Sequence, residues 1–162
     1  YKEAIFRINR DVRFSKNKEP YKLNRSAIIS PKGKKDKAFP GLYLEMGPEH
    51  YRIYGGVYQP DKEQLYAIRD TIVSDPKGFM KLVNDKKFKN TFEEIRGEKN
   101  KIIPKEFKDE AVHTPLVFNK QFYWFTEFEP ELIESDHLMK KTMEIYLANK
   151  SMMDFFAKAM EV

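Results

Sequence analysis

Residues 42–58 read Leu42-Tyr43-Leu44-Glu45-Met46-Gly47-Pro48-Glu49-His50-Tyr51-Arg52-Ile53-Tyr54-Gly55-Gly56-Val57-Tyr58, and this stretch decides the fold. Leu42, Leu44 and Met46 share one face while Tyr43 and Glu45 take the other, the period of two that a strand imposes. Gly47-Pro48-Glu49-His50 turns the chain. On the return, Tyr51, Ile53 and Val57 lie on one face, with Arg52, Tyr54 and Tyr58 opposite. A hairpin over about 41–58 follows. Gly55-Gly56 interrupts its second strand, which predicts a bulge or a close backbone approach.

Outward from the hairpin, residues 121–128 alternate Phe122, Trp124 and Phe128 with Tyr123 and Phe125. Both faces are apolar, so this strand is expected in the centre of the sheet. Ser26 to Ser30 is a further short strand, followed by a loop from Pro31 to Pro40. Residues 2–9 are ambiguous: Ala4, Ile5, Ile8 and Val12 keep helical spacing, while Phe6, Ile8, Val12 and Phe14 alternate. The reading is a short helix ending near Asn9, then an extended segment and a loop over 15–24. Asp61 caps a helix with Gln64 three positions on and Leu65, Ile68, Ile72 and Val73 inward. Asp75-Pro76 caps the next, with Phe79, Leu82 and Val83 buried. Phe88, Phe92 and Ile95 make a third that ends at Gly97. The last helix runs from about Ser135 to Met160, its stripe being Leu138, Met139, Thr142, Met143, Tyr146, Leu147, Met153, Phe156 and Met160. With no internal repeat and no low-complexity linker, residues 1–162 read as one α+β domain. It is built on a mainly antiparallel sheet packed with helices, the long C-terminal one included.

Composition closes off several function classes. The 162 residues are 41% apolar and 14% aromatic, a globular balance. No apolar run approaches the roughly 18 residues of a membrane-spanning helix. Zero cysteines exclude a disulfide framework, a Cys-ligated zinc site and a thiol nucleophile. His50, His113 and His137 match no metal spacing, and no serine stands in a triad setting. No metal, cofactor or membrane partner is expected. The chain begins at Tyr1 rather than Met, with no charged-then-apolar leader, so it is read as a cytoplasmic protein lacking an N-terminal segment of something longer.

Charge is unevenly spread. Residues 1–37 hold 12 basic and 4 acidic side chains, a net of +8 in a chain whose total is +5. A basic first quarter on a slightly acidic body points to an anionic partner. Lys32, Lys34, Lys35 and Lys37 around Gly33 fit an ordinary solvated face. The denser signal is in 7–22. Arg7, Arg10 and Arg13 recur every three residues, lining one face of a helix or fanning around Asp11 if extended. Guanidinium forks suit phosphate or carboxylate, and Ser15, Lys16, Lys18, Tyr21 and Lys22 add donors. The competing reading is an internal ion-pair network of Arg10, Asp11 and Arg13 that fixes a long loop.

Other features read as structural. Gly55-Gly56 is no phosphate loop, because the next helix N-terminus carries Asp61. Glu127, Glu129, Glu131, Glu134 and Asp136 lack a calcium-loop pattern, and the last three sit where acids favour a helix start. Trp124 belongs to the core. Tyr43, Tyr54 and Tyr58, on the outer hairpin face, suit stacking on bases or sugars, although covering helices are the expected explanation.

Residues 5–22, Ile-Phe-Arg-Ile-Asn-Arg-Asp-Val-Arg-Phe-Ser-Lys-Asn-Lys-Glu-Pro-Tyr-Lys, resemble the signature of the bacterial and fungal family called domain of unknown function 2461. The similarity continues through Pro40-Gly41 with Tyr43, Gly55-Gly56 with Tyr58 and Pro60, and Leu65 with Ile68-Arg69. It then takes in Phe88 and Pro104-Lys105 with Phe107. It departs at 112–115, where Val-His-Thr-Pro replaces an acidic-His-Pro run, so it assigns nothing to His113. The resemblance implies a further N-terminal helical segment and no particular activity. It adds weight to the basic segment, where the family signature is concentrated.

Three functions remain open. One is a module binding a phosphorylated or nucleic-acid ligand through the 7–22 segment. Another is an enzyme on a phosphorylated or carboxylated substrate, with the arginines as clamp and a carboxylate such as Asp11 as base. The third is an interaction protein in which the segment is only an ion-pair clasp.

Overall fold

The computed structural model describes residues 3–36 and 38–161, so Tyr1 and Lys37 lie outside the described residues. Four strands, β1 (Arg25–Ile29), β2 (Leu42–Met46), β3 (Tyr51–Val57) and β4 (Phe122–Phe128), form one antiparallel sheet in that order. The hairpin register pairs Tyr43 with Tyr54 and Met46 with Tyr51. The architecture is α+β, as the alternation of residues 42–58 requires.

The period of two sorts β3 cleanly: Tyr51, Ile53 and Val57 are buried, while Arg52, Tyr54 and Gly56 are half-exposed. The buried face meets α5 (Leu138–Ala159) and α3 (Lys86–Phe92), while α1 (Lys62–Ser74) and α2 (Pro76–Val83) pack against α5. A smaller helix, α4 (Lys108–His113), follows a one-turn 3-10 helix at Lys105–Phe107. Rings dominate this core. Phe88, Phe92 and Phe156 surround Trp124 with centroids 5.2, 6.3 and 6.0 Å away. Such pairs add about 0.5–1.5 kcal/mol each beyond the area they bury.

Helix starts follow local chemistry. Asp61 accepts from the Gln64 backbone N–H at 2.8 Å while the Gln64 side chain accepts from the Asp61 N–H at 2.9 Å, a complete capping box. Asp75 accepts from the Gly78 N–H, with Pro76 in the first turn.

Five expectations need correction. Residues 4–10 are extended rather than helical. The Phe6 N–H donates to Ser26 C=O and the Ile28 N–H to Ala4 C=O, so the segment pairs along the free edge of β1. Gly55-Gly56 makes no bulge, because β3 and β4 keep one continuous register from Tyr51↔Phe128 to Val57↔Phe122. The glycines mark the close approach instead. β4 is an edge strand rather than a central one, its outer side met, among the described residues, by Arg96, whose N–H donates to Tyr123 C=O at 2.7 Å.

The third helix ends at Phe92, not Gly97, with Glu93 turning the chain at φ 65°. In α5 the buried seam is Ile145, Ala148, Asn149, Met152, Met153, Phe156 and Ala159. Met139, Met143 and Leu147 face solvent. The helix is thus rotated from the expected stripe, with Thr142 inside because its Oγ1 pairs with the buried Tyr51 hydroxyl at 2.9 Å.

Candidate functional site

The basic segment folds as an arm. Ile8–Arg10 and Pro20–Lys22 form a narrow antiparallel neck: Asn9 bridges Tyr21, the Arg10 N–H donates to Pro20 C=O at 2.9 Å, and the Lys22 N–H donates to Ile8 C=O at 2.8 Å. Proline at 20 loses nothing here, because only its carbonyl is used. Residues 11–19 make the tip. At its end Phe14 is 95% exposed, an unusual place for a large apolar ring.

Charges on the arm pair locally. Arg13 forks onto Asp11, with Nε to Oδ1 at 2.9 Å and Nη2 to Oδ2 at 2.7 Å. Arg10 lies 3.6 Å from Glu19, and Lys18 donates to Val12 C=O at 3.0 Å. Arg7, Lys16 and Lys22 form no ion pair among the described residues. Arg10 and Ser15 are half-buried, whereas Arg7, Asp11, Arg13, Lys16, Lys18, Tyr21 and Lys22 are exposed. The three arginines therefore do not share one buried pocket: Arg13 forks onto Asp11, with the Arg7 charge also acting on that carboxylate, and Arg10 faces Glu19.

The Arg13 hydrogen bonds hold the Asp11 carboxyl below the usual aspartate value. What the pair adds to stability is present above the unfolded-state pKa and is lost as pH falls through the lowered folded one. Both partners are solvent-exposed and two residues apart, so the pair ties the arm to nothing. Asp11→Ala is expected to leave the thermal unfolding midpoint, followed by circular dichroism, where it is in the wild type. A fall of several degrees would restore the clasp.

The outer face of the sheet carries the second feature. Contrary to expectation, what flanks it is not a long helix but Phe6, Phe39 and Lys34, the last on a one-turn 3-10 helix at Gly33–Lys35. Tyr43, Tyr54 and Phe125 stand in register across β2, β3 and β4. Phe6 packs edge-on to Tyr43 at 5.6 Å, and Tyr58 meets Tyr123 at 6.2 Å. A concave space of about 460 Å³ lies over these rings and the Gly55-Gly56 backbone. A neighbouring hollow of about 450 Å³ shares Tyr43 and Glu45 with it and is lined also by Arg10, Lys22 and His50. Burial raises the Tyr54 hydroxyl above the ordinary tyrosine pKa, against the pull of Arg52 beside it. His50 is buried with Nε2 3.1 Å from Glu45 Oε1. Arg52 bridges Glu45 and Glu127.

Phe6, Tyr123 and Arg96 belong to this face and escaped the sequence reading. For Tyr123 the signal was available in the alternation of 121–128. For Phe6 and Arg96 there was none, because both arrive by long-range pairing. The acidic run over 127–136 gathers no cation site. Among the described residues no group of three or more His, Asp or Glu side chains could hold a metal ion, and no helix is long and apolar enough to cross a membrane.

No curated protein and no solved structure matches the chain. The chain belongs to the family described as conserved hypothetical protein, DUF2461, matched over residues 1–155.

Proposed function

We propose that the chain is a binding module whose basic arm engages an anionic ligand, a phosphorylated compound or nucleic acid. The observation that carries this reading is the arm itself: Arg13, Lys16 and Lys18 stand in solvent with the exposed Phe14 on one narrow-necked loop, and Arg7 is exposed just before its neck. Guanidinium and ammonium groups held this way meet phosphate oxygens without first leaving a buried partner. The clasp reading asks for a buried pair joining arm to body, and the Asp11–Arg13 fork is exposed and local. The clamp enzyme asks Arg10 and Arg13 to converge on one cavity with a poised base. Arg10 lines the smaller hollow, while Arg13 is turned onto Asp11, whose lowered pKa makes it a weaker base.

Binding of a labelled oligonucleotide and of inorganic polyphosphate, titrated at several salt concentrations, tests the proposal. An Arg7→Ala/Arg13→Ala/Lys16→Ala variant is expected to weaken both by at least ~10-fold. For the single strand it should flatten the slope of log K against log salt by about 2, three phosphate contacts at about 0.7 each. Asp11→Ala, which frees Arg13, should tighten binding. Salt-independent or undetectable binding of both probes refutes the reading.

A further inference from the structure

We infer that the uncovered aromatic face of the sheet seats the bases of single-stranded nucleic acid whose phosphates lie along the arm. This rests on the proposed reading of the arm and narrows its ligand class. Three observations carry it.

The first is the arrangement of the rings. Tyr43 meets Tyr54 at an interplanar angle of 70° and Phe6 at 63°, and Tyr58 meets Tyr123 at 78°. In an edge contact one ring's rim meets the other's face, so the rings are not stacked on one another and the faces left over are open to a flat base or a sugar. Gly55 and Gly56 place bare backbone beneath them, so the floor of the space is open, with Tyr58 at its rim 56% exposed.

The second is charge. A wholly apolar occupant would meet no cations, yet Arg96 stacks on Phe125 with its guanidinium carbon 4.4 Å from the ring centroid, and Arg52 lies 5.8 Å from the same ring. Arg10 and Lys22 line the adjoining hollow. Rings alternating with fixed cations are what a strand of bases and phosphates recognises. The carboxylates nearby are paired with these same cations, Glu45 and Glu127 with Arg52, Glu93 and Glu94 with Arg96, and Glu19 with Arg10, while Glu45 also meets His50, so the guanidinium groups are held in place beside the rings. Glu49 is the exception in the smaller hollow.

The third is continuity. The two hollows share Tyr43 and Glu45, so the aromatic space runs into the one reached by Arg10 and Lys22 at the neck of the arm. A chain stacked on Tyr54 and Tyr43 thereby has its backbone led to the basic segment. An antiparallel sheet with helices on one face and aromatic side chains on the other is also an architecture on which single strands are bound by stacking.

Two probes of equal length and charge separate the seat from the arm: labelled oligothymidylate and the corresponding abasic strand, each titrated by fluorescence anisotropy at one salt concentration. Oligothymidylate is expected to bind the wild type at least ~10-fold more tightly, each stacked base contributing about 5- to 150-fold. Tyr58→Ala, at an exposed position, should lose about 5-fold or more for oligothymidylate and nothing for the abasic strand. Tyr54→Ala should do the same, with its circular dichroism melt confirming that it folds. Equal affinity for the two strands, with both weakened by the triple arm variant, would overturn the seat and leave the arm standing. The face would then be a docking surface for protein. If neither strand binds, the inference fails together with its nucleic-acid premise.

Discussion

Gly56→Ala is expected to destabilise the protein by about 3–5 kcal/mol, a large share of the roughly 5–15 kcal/mol that holds an ordinary domain folded. Gly56 sits at φ 115°, a conformation that side-chain-bearing residues rarely adopt. A Cβ built there would lie 2.1 Å from the Phe122 carbonyl oxygen and 2.8 Å from the Tyr123 Cα. Both obstacles are backbone of the paired strand β4, so no rotamer change relieves them. Urea denaturation should show the midpoint falling at an unchanged slope, because the variant loses native-state energy and not buried surface. Gly55→Ala serves as the comparison. Its Cβ would meet side-chain atoms, Trp124 Nε1 at 2.6 Å and Asn149 Nδ2 at 3.1 Å. These have some freedom to move, so a smaller loss of about 1–3 kcal/mol is expected. A near-native midpoint for Gly56→Ala would mean that the β3–β4 register is looser than described.

Arg69→Met should cost about 3 kcal/mol although it removes a charge from the interior. Arg69 is 4% exposed on α1 and, among the described residues, no carboxylate pairs with it. Its Nε donates to Val117 C=O at 2.8 Å and its Nη2 to Asn119 C=O at 3.0 Å. The guanidinium fork thus pins the one-turn helix at Pro115–Phe118, and with it the entry into β4, to α1. Burial pulls its pKa below the usual arginine value, which measures how hard the site works against the charge. Methionine fills the volume but leaves two buried carbonyls unpaired. Arg69→Lys, with one point donor in place of a fork, should recover only part of the loss. Differential scanning calorimetry of the pair reads this directly. If Arg69→Met melted with the wild type, the carbonyls would have found other donors.

What the sequence made legible was local. The 42–58 hairpin and the caps at Asp61 and Asp75 rest on alternation and on donors three residues away, and they stand as read. What it hid was set by distant partners. Residues 4–10 have helical spacing, but Ile5 finds Ala27 and Asn9 finds Tyr21, and pairing decides their conformation. In α5 the buried Asn149 interrupts the apolar seam, so Met139, Met143 and Leu147 offered a more continuous stripe than the true one. β4 looked central because both its faces are apolar. One face is core, and the other is the open aromatic surface, a distinction no single strand displays. Arg69 was passed over because burial of an unpaired cation runs against hydropathy. The charges and donors of 7–22 are visible in the sequence, but their arm geometry depends on a neck that closes across the nine residues 11–19.

The flanking segments beside β1 and β4 bear on how the protein behaves in a crowded solution. A four-stranded sheet has two margins, each a row of backbone donors and acceptors able to recruit a strand from another chain. Here residues 4–6 lie along one margin, and the backbone of Arg96 and its neighbours lies along part of the other. The polypeptide thereby uses its own loops as selvedge, and growth of the sheet by addition of foreign strands is hindered where residues 4–6 and Arg96 lie. What the sheet leaves open is therefore a face of side chains more than a hem of backbone.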